Sequence, residues 1–148
     1  MNERDTGARS TLQMLTLLFG VIFVLVGVLG FIPGITTNFD DLAFAGEDSK
    51  AELLGIFAVS ILINIVHLLF GVVGLWAARA FDSSRIYMLG GGVIYVALWL
   101  LGIVGGADWL PSNNAEDWLH LALGVAMLGI GYMFGRERIA TDRGAAAV

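Results

Sequence analysis

The stretch Ser60-Ile-Leu-Ile-Asn64-Ile-Val-His67-Leu-Leu-Phe-Gly71-Val-Val-Gly74-Leu-Trp-Ala-Ala78 sets polar and small residues inside a long apolar run. Ser60, Asn64, His67, Gly71, Gly74 and Ala78 recur at steps of three and four, the spacing that places them on one face of a helix. In a bilayer that face has to meet protein, because an imidazole or carboxamide turned to lipid leaves its polar atoms unpaired in hydrocarbon. The stretch therefore predicts a helix with one face in a bundle interior and the other in lipid.

The composition supports the same class. Of 148 residues, 57% are hydrophobic and 14% charged, whereas a soluble domain carries roughly 25% charged residues. Cysteine is absent, so disulfides, thiolate metal sites and thiol chemistry are excluded. The net charge of -5 argues against nucleic acid as a partner.

Taken in order, the chain predicts a cytoplasmic tail over 1–11, a single four-helix transmembrane domain over 12–135 and a second cytoplasmic tail over 136–148. The helices are expected at about 12–32, 53–78, 86–104 and 117–134, joined by outer loops 35–52 and 105–116. Pro33-Gly34 stops the first run, and the polar turn from Arg79 to Arg85 sends the third run back antiparallel to the second. The first run is expected to remain as a span. Its only small-x-small cleavage candidate, Ala43-Phe-Ala45, lies too far downstream for a signal peptide.

Arg4, Arg9, Arg79, Arg85, Arg136, Arg138 and Arg143 fall on one side of these spans and Lys50 on the other. Basic residues near helix ends stay on the cytoplasmic side, so both termini are expected inside and the acidic loops outside, in the plasma membrane. Trp76, Trp109 and Trp118 occupy positions suited to the membrane interface.

An internal repeat accompanies this layout. Gly20-Val-Ile-Phe-Val24 reads like Gly92-Val-Ile-Tyr-Val96 at an offset of 72, and Asn64-Ile-Val-His67 through Gly71 reads like Asp117-Trp-Leu-His120 through Gly124 at an offset of 53. The matched helices run in the same direction, so the fold class is an all-α integral membrane protein built as two tandem parallel-repeat hairpins. Helices in lipid gain no hydrophobic drive to associate, which leaves close backbone approach at small residues. Gly20, Gly27, Gly30, Gly34, Gly71, Gly74, Gly102, Gly106, Gly124, Gly131 and Gly135 are the expected packing positions, with tight packing preferred to a glycine-lined solute path.

Ser60, Asn64, His67, Asp117 and His120 form the expected polar interior. His67 and His120 are the only histidines, each three residues after Asn64 or Asp117, which share their helix faces and are placed to orient the imidazoles. Three uses compete for the pair: a polar clasp between the second and fourth helices, a bis-histidine haem or other metal site, and a proton or solute path. The clasp is preferred, with no cofactor. Two imidazoles and one carboxylate are a thin donor set for a bare metal, while haem needs only two histidines. No nucleophile with an adjacent base, H-E-x-x-H pattern or phosphate loop is present, and no carboxylate is expected deep in a span.

Gly27-Val-Leu-Gly30-Phe-Ile-Pro-Gly34-Ile-Thr-Thr-Asn-Phe-Asp40-Asp, Leu54-Gly-Ile-Phe57, Asn64-Ile-Val-His67-Leu-Leu-Phe-Gly71, Gly90-Gly-Gly-Val-Ile-Tyr95 and Asp117-Trp-Leu-His120 together resemble a group of small actinobacterial membrane proteins, domain-of-unknown-function family 4383. The resemblance covers about Leu12 to Gly131 and implies four membrane helices and no established activity. In that family the position before the second-helix asparagine is often histidine. Here it is Ile63, which removes a third imidazole. The expected function is a non-enzymatic accessory, assembly or structural component. Its partners would be the lipid bilayer, other membrane proteins or a second copy of itself. A haem-binding or solute-conducting bundle is the alternative.

Overall fold

The computed structural model describes residues 9–105, 109–111 and 113–136. Four helices dominate them: α1 (Thr11–Leu29), α2 (Ile61–Ala77), α3 (Phe81–Val104) and α4 (Asn114–Met133), the last continuing in a 3₁₀ turn, Phe134–Arg136. Helices α1 and α2 pack along each other, as do α3 and α4, and contact between the two pairs is lighter. Three segments, Thr11–Leu29, Phe81–Val104 and Asn114–Arg136, are long and apolar enough to cross a membrane, while α2 is apolar over 17 residues.

The polarity is that of a membrane-embedded protein. Leu18, Leu69, Val93 and Val125 on the four helices stand half or more exposed, whereas Ser60, Asn64, Glu116 and His120 are buried. Water would reward the opposite arrangement; hydrocarbon accepts the apolar exterior and requires the polar groups to sit inside.

Helix α2 begins at Ile61, eight residues later than the apolar pattern predicts. Leu53 to Val59 folds instead into a small sheet with strands β1 (Thr36–Thr37), β2 (Glu52–Leu53) and β3 (Phe57–Ala58), in the antiparallel order β1-β2-β3. The expectation of an all-α chain is corrected to that extent. Leu54 and Gly55 both take positive φ, 57° and 69°, between β2 and β3, and this left-handed turn interrupts the apolar run before it can become helical. Ser60 then caps α2, its Oγ accepting the Ile63 N–H at 3.3 Å.

The other boundaries shift for local reasons. Helix α1 ends at Leu29 rather than near 32, and Thr36 Oγ1 donates to the Leu29 carbonyl at 3.2 Å. Helix α3 starts at Phe81, five residues before the expected position. Asp82 favours its first turn through the helix dipole, and the Ser83 and Ser84 hydroxyls donate to the Ala77 carbonyl at the end of α2. Helix α4 starts at Asn114, capped by Asn113, whose Oδ1 accepts the Glu116 N–H at 2.9 Å.

Segment 35–60 is an ordered cap over one end of the bundle. Ala51, Leu53 and Val59 form its buried centre, packed by Val26, Leu29, Ile35, Leu42 and Phe57. The Ala43 and Phe44 carbonyls accept the Ile61 and Leu62 N–H groups of the first turn of α2, and the Gly46 N–H donates to the Trp109 carbonyl at 2.9 Å. At the opposite end, the Gln13 carboxamide donates to the Ala78 carbonyl, tying the start of α1 to the end of α2.

Candidate functional site

The glycines set how near the helices come. A Cβ on Gly20 would lie 2.7 Å from the Leu75 backbone nitrogen, and one on Gly71 would lie 2.6 Å from that of Val24. In the other pair, a Cβ on Gly124 would lie 2.9 Å from the Val96 nitrogen, and one on Gly92 2.9 Å from the Gly124 carbonyl oxygen. Gly27, Gly74, Gly131 and Gly135 meet Leu68, Tyr87, Leu89 and Arg85, while Gly30 and Gly102 are overlaid by the side chains of Asn64 and Asp117. Gly34 is not a packing position: it lies exposed in the turn after α1 with φ of 90° and nothing beside it. Gly106 lies outside the described residues. Gly91 and Gly92, which carry close contacts to Met127 and Leu128, were missing from the expected set.

Between the two helix pairs runs a line of rings. His67 stacks on Phe23 with centroids 6.0 Å apart and 16° between planes; Phe23 stacks on Tyr95 at 5.4 Å and 16°; Tyr95 meets His120 at 5.4 Å and 54°. Phe70 closes edge-on against Phe23 at 5.0 Å and stacks on Tyr87, whose hydroxyl donates to the Phe70 carbonyl. The two imidazoles thus belong to one aromatic cluster on the seam between the pairs.

Several polar atoms in this interior have no hydrogen-bond partner among the described residues: Asn64 Oδ1 and Nδ2, His67 Nδ1, His120 Nδ1 and Glu116 Oε2. Asn64 is fully buried against Gly30 and makes no hydrogen bond to His67, contrary to the orienting role expected for it. On α4, Glu116 Oε1 lies 3.7 Å from His120 Nε2, and Asp117, whose side chain lies over Gly102, also acts on that imidazole electrostatically. Sequence reasoning left Glu116 in an outer loop and counted Asp117 as the carboxylate of the polar interior. The structure buries Glu116 to 4% exposure in the first turn of α4. Its i,i+4 spacing to His120 was the signal that pointed there.

Among the described residues no group of three or more histidine, aspartate or glutamate side chains is arranged to hold a metal ion. Beside the two imidazoles, Phe23, Phe70, Tyr87 and Tyr95 pack the seam ring against ring.

Outside the helices, a cavity of about 370 Å³ opens under the cap, lined by residues that include Asn38, Glu47, Glu52, Pro111 and Asn113. Its Asn113 wall is also the cap of α4, three residues from Glu116.

An apolar-surfaced helical protein with a polar, aromatic interior seam belongs to the membrane-embedded class. The family described as Domain of unknown function (DUF4383) matches residues 13–133, and the chain belongs to it. No curated protein and no solved structure matches the chain.

Proposed function

We propose that the chain is a multi-pass plasma-membrane protein that crosses four times, keeps both termini in the cytoplasm and works as a non-enzymatic accessory or assembly component. Four crossings are supported by α2, which lies along α1 and, at about 1.5 Å per residue, covers about 26 Å of a hydrocarbon core of roughly 30 Å. The orientation rests on Arg9, Arg79, Arg85 and Arg136, which all lie at the bundle end away from the cap. A tandem repeat is supported by contacts that recur at the sequence offsets: Gly20 with Gly71 and Gly92 with Gly124, Gly30 with Asn64 and Gly102 with Asp117, His67 with Phe23 and His120 with Tyr95.

The observation that carries the functional reading is the cap. It is hydrogen-bonded to α2 and to Trp109, and Asp40, Asp41, Glu47 and Asp48 on it are exposed. Carboxylates on a fixed platform suit electrostatic recognition of a basic surface on another membrane protein or a second copy of this chain. Affinity purification from native membranes in mild detergent tests it, with the intact chain beside a variant carrying Asp40→Asn, Asp41→Asn, Glu47→Gln and Asp48→Asn. A membrane protein recovered with the intact chain should fall roughly tenfold or more with the variant, equivalent to about 1.4 kcal/mol. Equal recovery with both, or nothing recovered with either, contradicts the reading.

A further inference from the structure

Glu116 and His120 are poorly arranged for a structural ion pair. Both side chains are about 95% buried, and their 3.7 Å separation exceeds the 2.7–2.9 Å of a charge-assisted hydrogen bond. At that separation, attraction does not repay the desolvation of two full charges. Glu116 Oε2 and His120 Nδ1 have no hydrogen-bond partner among the described residues. A helix contact that served packing alone would be better made by two apolar side chains.

The arrangement does suit a proton. A carboxyl with a neutral imidazole, and a carboxylate with an imidazolium, differ only by moving one proton along the Oε1–Nε2 axis, and both states are neutral overall. Removing that proton leaves the pair with one net negative charge in a buried site, so gain and loss of the proton act directly on the surrounding packing. The ligand needs no cavity, in agreement with the tight seam around Tyr95. A metal ion would need donors that the described residues do not supply.

We propose that Glu116 and His120 form a proton-binding site inside the bundle, loaded from the cavity beneath the acidic cap. Uptake transfers one proton from water in that cavity to the pair and changes its charge from -1 to 0; release returns it, with no other bond made or broken. Asn113 lines the cavity and its Oδ1 accepts the Glu116 backbone N–H, so the cavity wall abuts the first turn of α4; Glu47 and Glu52 on the same walls outnumber Lys50 and favour cations at the mouth. The titratable groups facing the pair from neighbouring elements are Tyr95 of α3 and His67 of α2, both electrostatically coupled to it, with Asp117 on α4 itself. Helix α1 and strand β3 contribute none.

Dicyclohexylcarbodiimide, an apolar reagent that modifies protonated carboxyls in membranes, provides the test. In right-side-out vesicles of the intact chain, peptide mapping should find the adduct on Glu116, with labelling falling at least about tenfold as the external medium is made alkaline. Asp117→Asn should retain the label. His120→Leu should lose it at lower pH, because the proton is no longer shared with the imidazole. A water-soluble carbodiimide should modify Asp48 in the same sample and spare Glu116, which shows that the fold is intact. No adduct on Glu116 at any pH, labelling independent of pH, or labelling that follows the internal pH overturns the proposal. So does an unchanged pH profile in His120→Leu.

Discussion

Gly20→Val is expected to lower the melting temperature of the purified protein sharply, by the equivalent of about 3 kcal/mol, at the top of the overpacking range. The added Cβ would stand 2.7 Å from the Leu75 backbone nitrogen and 3.0 Å from the Gly74 carbonyl carbon. Neither can move as a side-chain tip does, so α1 and α2 must separate, and every contact along their seam weakens together. Gly92→Val should do the same to α3 and α4, where the Cβ would lie 2.9 Å from the Gly124 carbonyl oxygen and from the Leu128 backbone nitrogen. Gly90→Ala is the control. Gly90 has nothing within 4 Å, and alanine there should leave the melt unchanged or raise it slightly through helix propensity. Thermal unfolding in detergent, followed by circular dichroism, measures all three. Equal melts for Gly20→Val and Gly90→Ala would show that the glycine seam does not hold the pair.

Phe23→Ala should have the next largest effect, about 3 kcal/mol, at the lower end of the range for emptying a buried phenylalanine site. The lower end applies because lipid, unlike water, carries no penalty for the exposed hydrocarbon, so the loss is one of packing. Phe23 is 2% exposed and touches Phe19, His67, Phe70 and Tyr95, which makes it, with Phe70, a residue through which the two helix pairs meet. Its loss should therefore loosen the pairs from one another more than it loosens either alone. His67→Leu keeps the volume and removes only a ring stack and an unpartnered nitrogen, so it should cost about 1 kcal/mol or less. Differential scanning with both variants reads the comparison; a larger shift for His67→Leu than for Phe23→Ala would assign the histidine a role beyond packing.

Much of the helical layout was readable because lipid imposes a simple rule. The three-and-four spacing from Ser60 to Ala78 located the inward face of α2, and Ser60, Asn64, Gly71, Gly74 and Ala78 are all buried. The same hydropathy misled where it met the cap. Leu53, Phe57 and Val59 look like helix in composition, yet Leu53 and Val59 are buried, and Phe57 partly so, by strand pairing and by Leu42 and Ile35, partners that no local pattern announces. The Leu54-Gly55 turn lacks the asparagine or aspartate that usually marks such a connection. Glu116 was lost for a related reason. A charge before an apolar run reads as loop, and only its helical phase with His120 argues otherwise. The aromatic line was half visible: the repeat aligned Phe23 with Tyr95 and His67 with His120, but contact between the pairs depends on how two hairpins dock, which spacing within one helix does not encode.

The orientation of the bundle is the premise beneath the acidic cap's role and the outward-loaded site alike, and the lack of any native cysteine makes it directly measurable. Single cysteines replacing exposed Asp48, in the cap, and exposed Ala80, between α2 and α3, report the two ends of the bundle. With a membrane-impermeant maleimide on intact cells, Asp48→Cys should label fully and Ala80→Cys only after the membrane is permeabilised. Labelling of Ala80→Cys on intact cells with Asp48→Cys protected, or equal labelling of both before permeabilisation, contradicts a four-span bundle whose acidic cap faces outward.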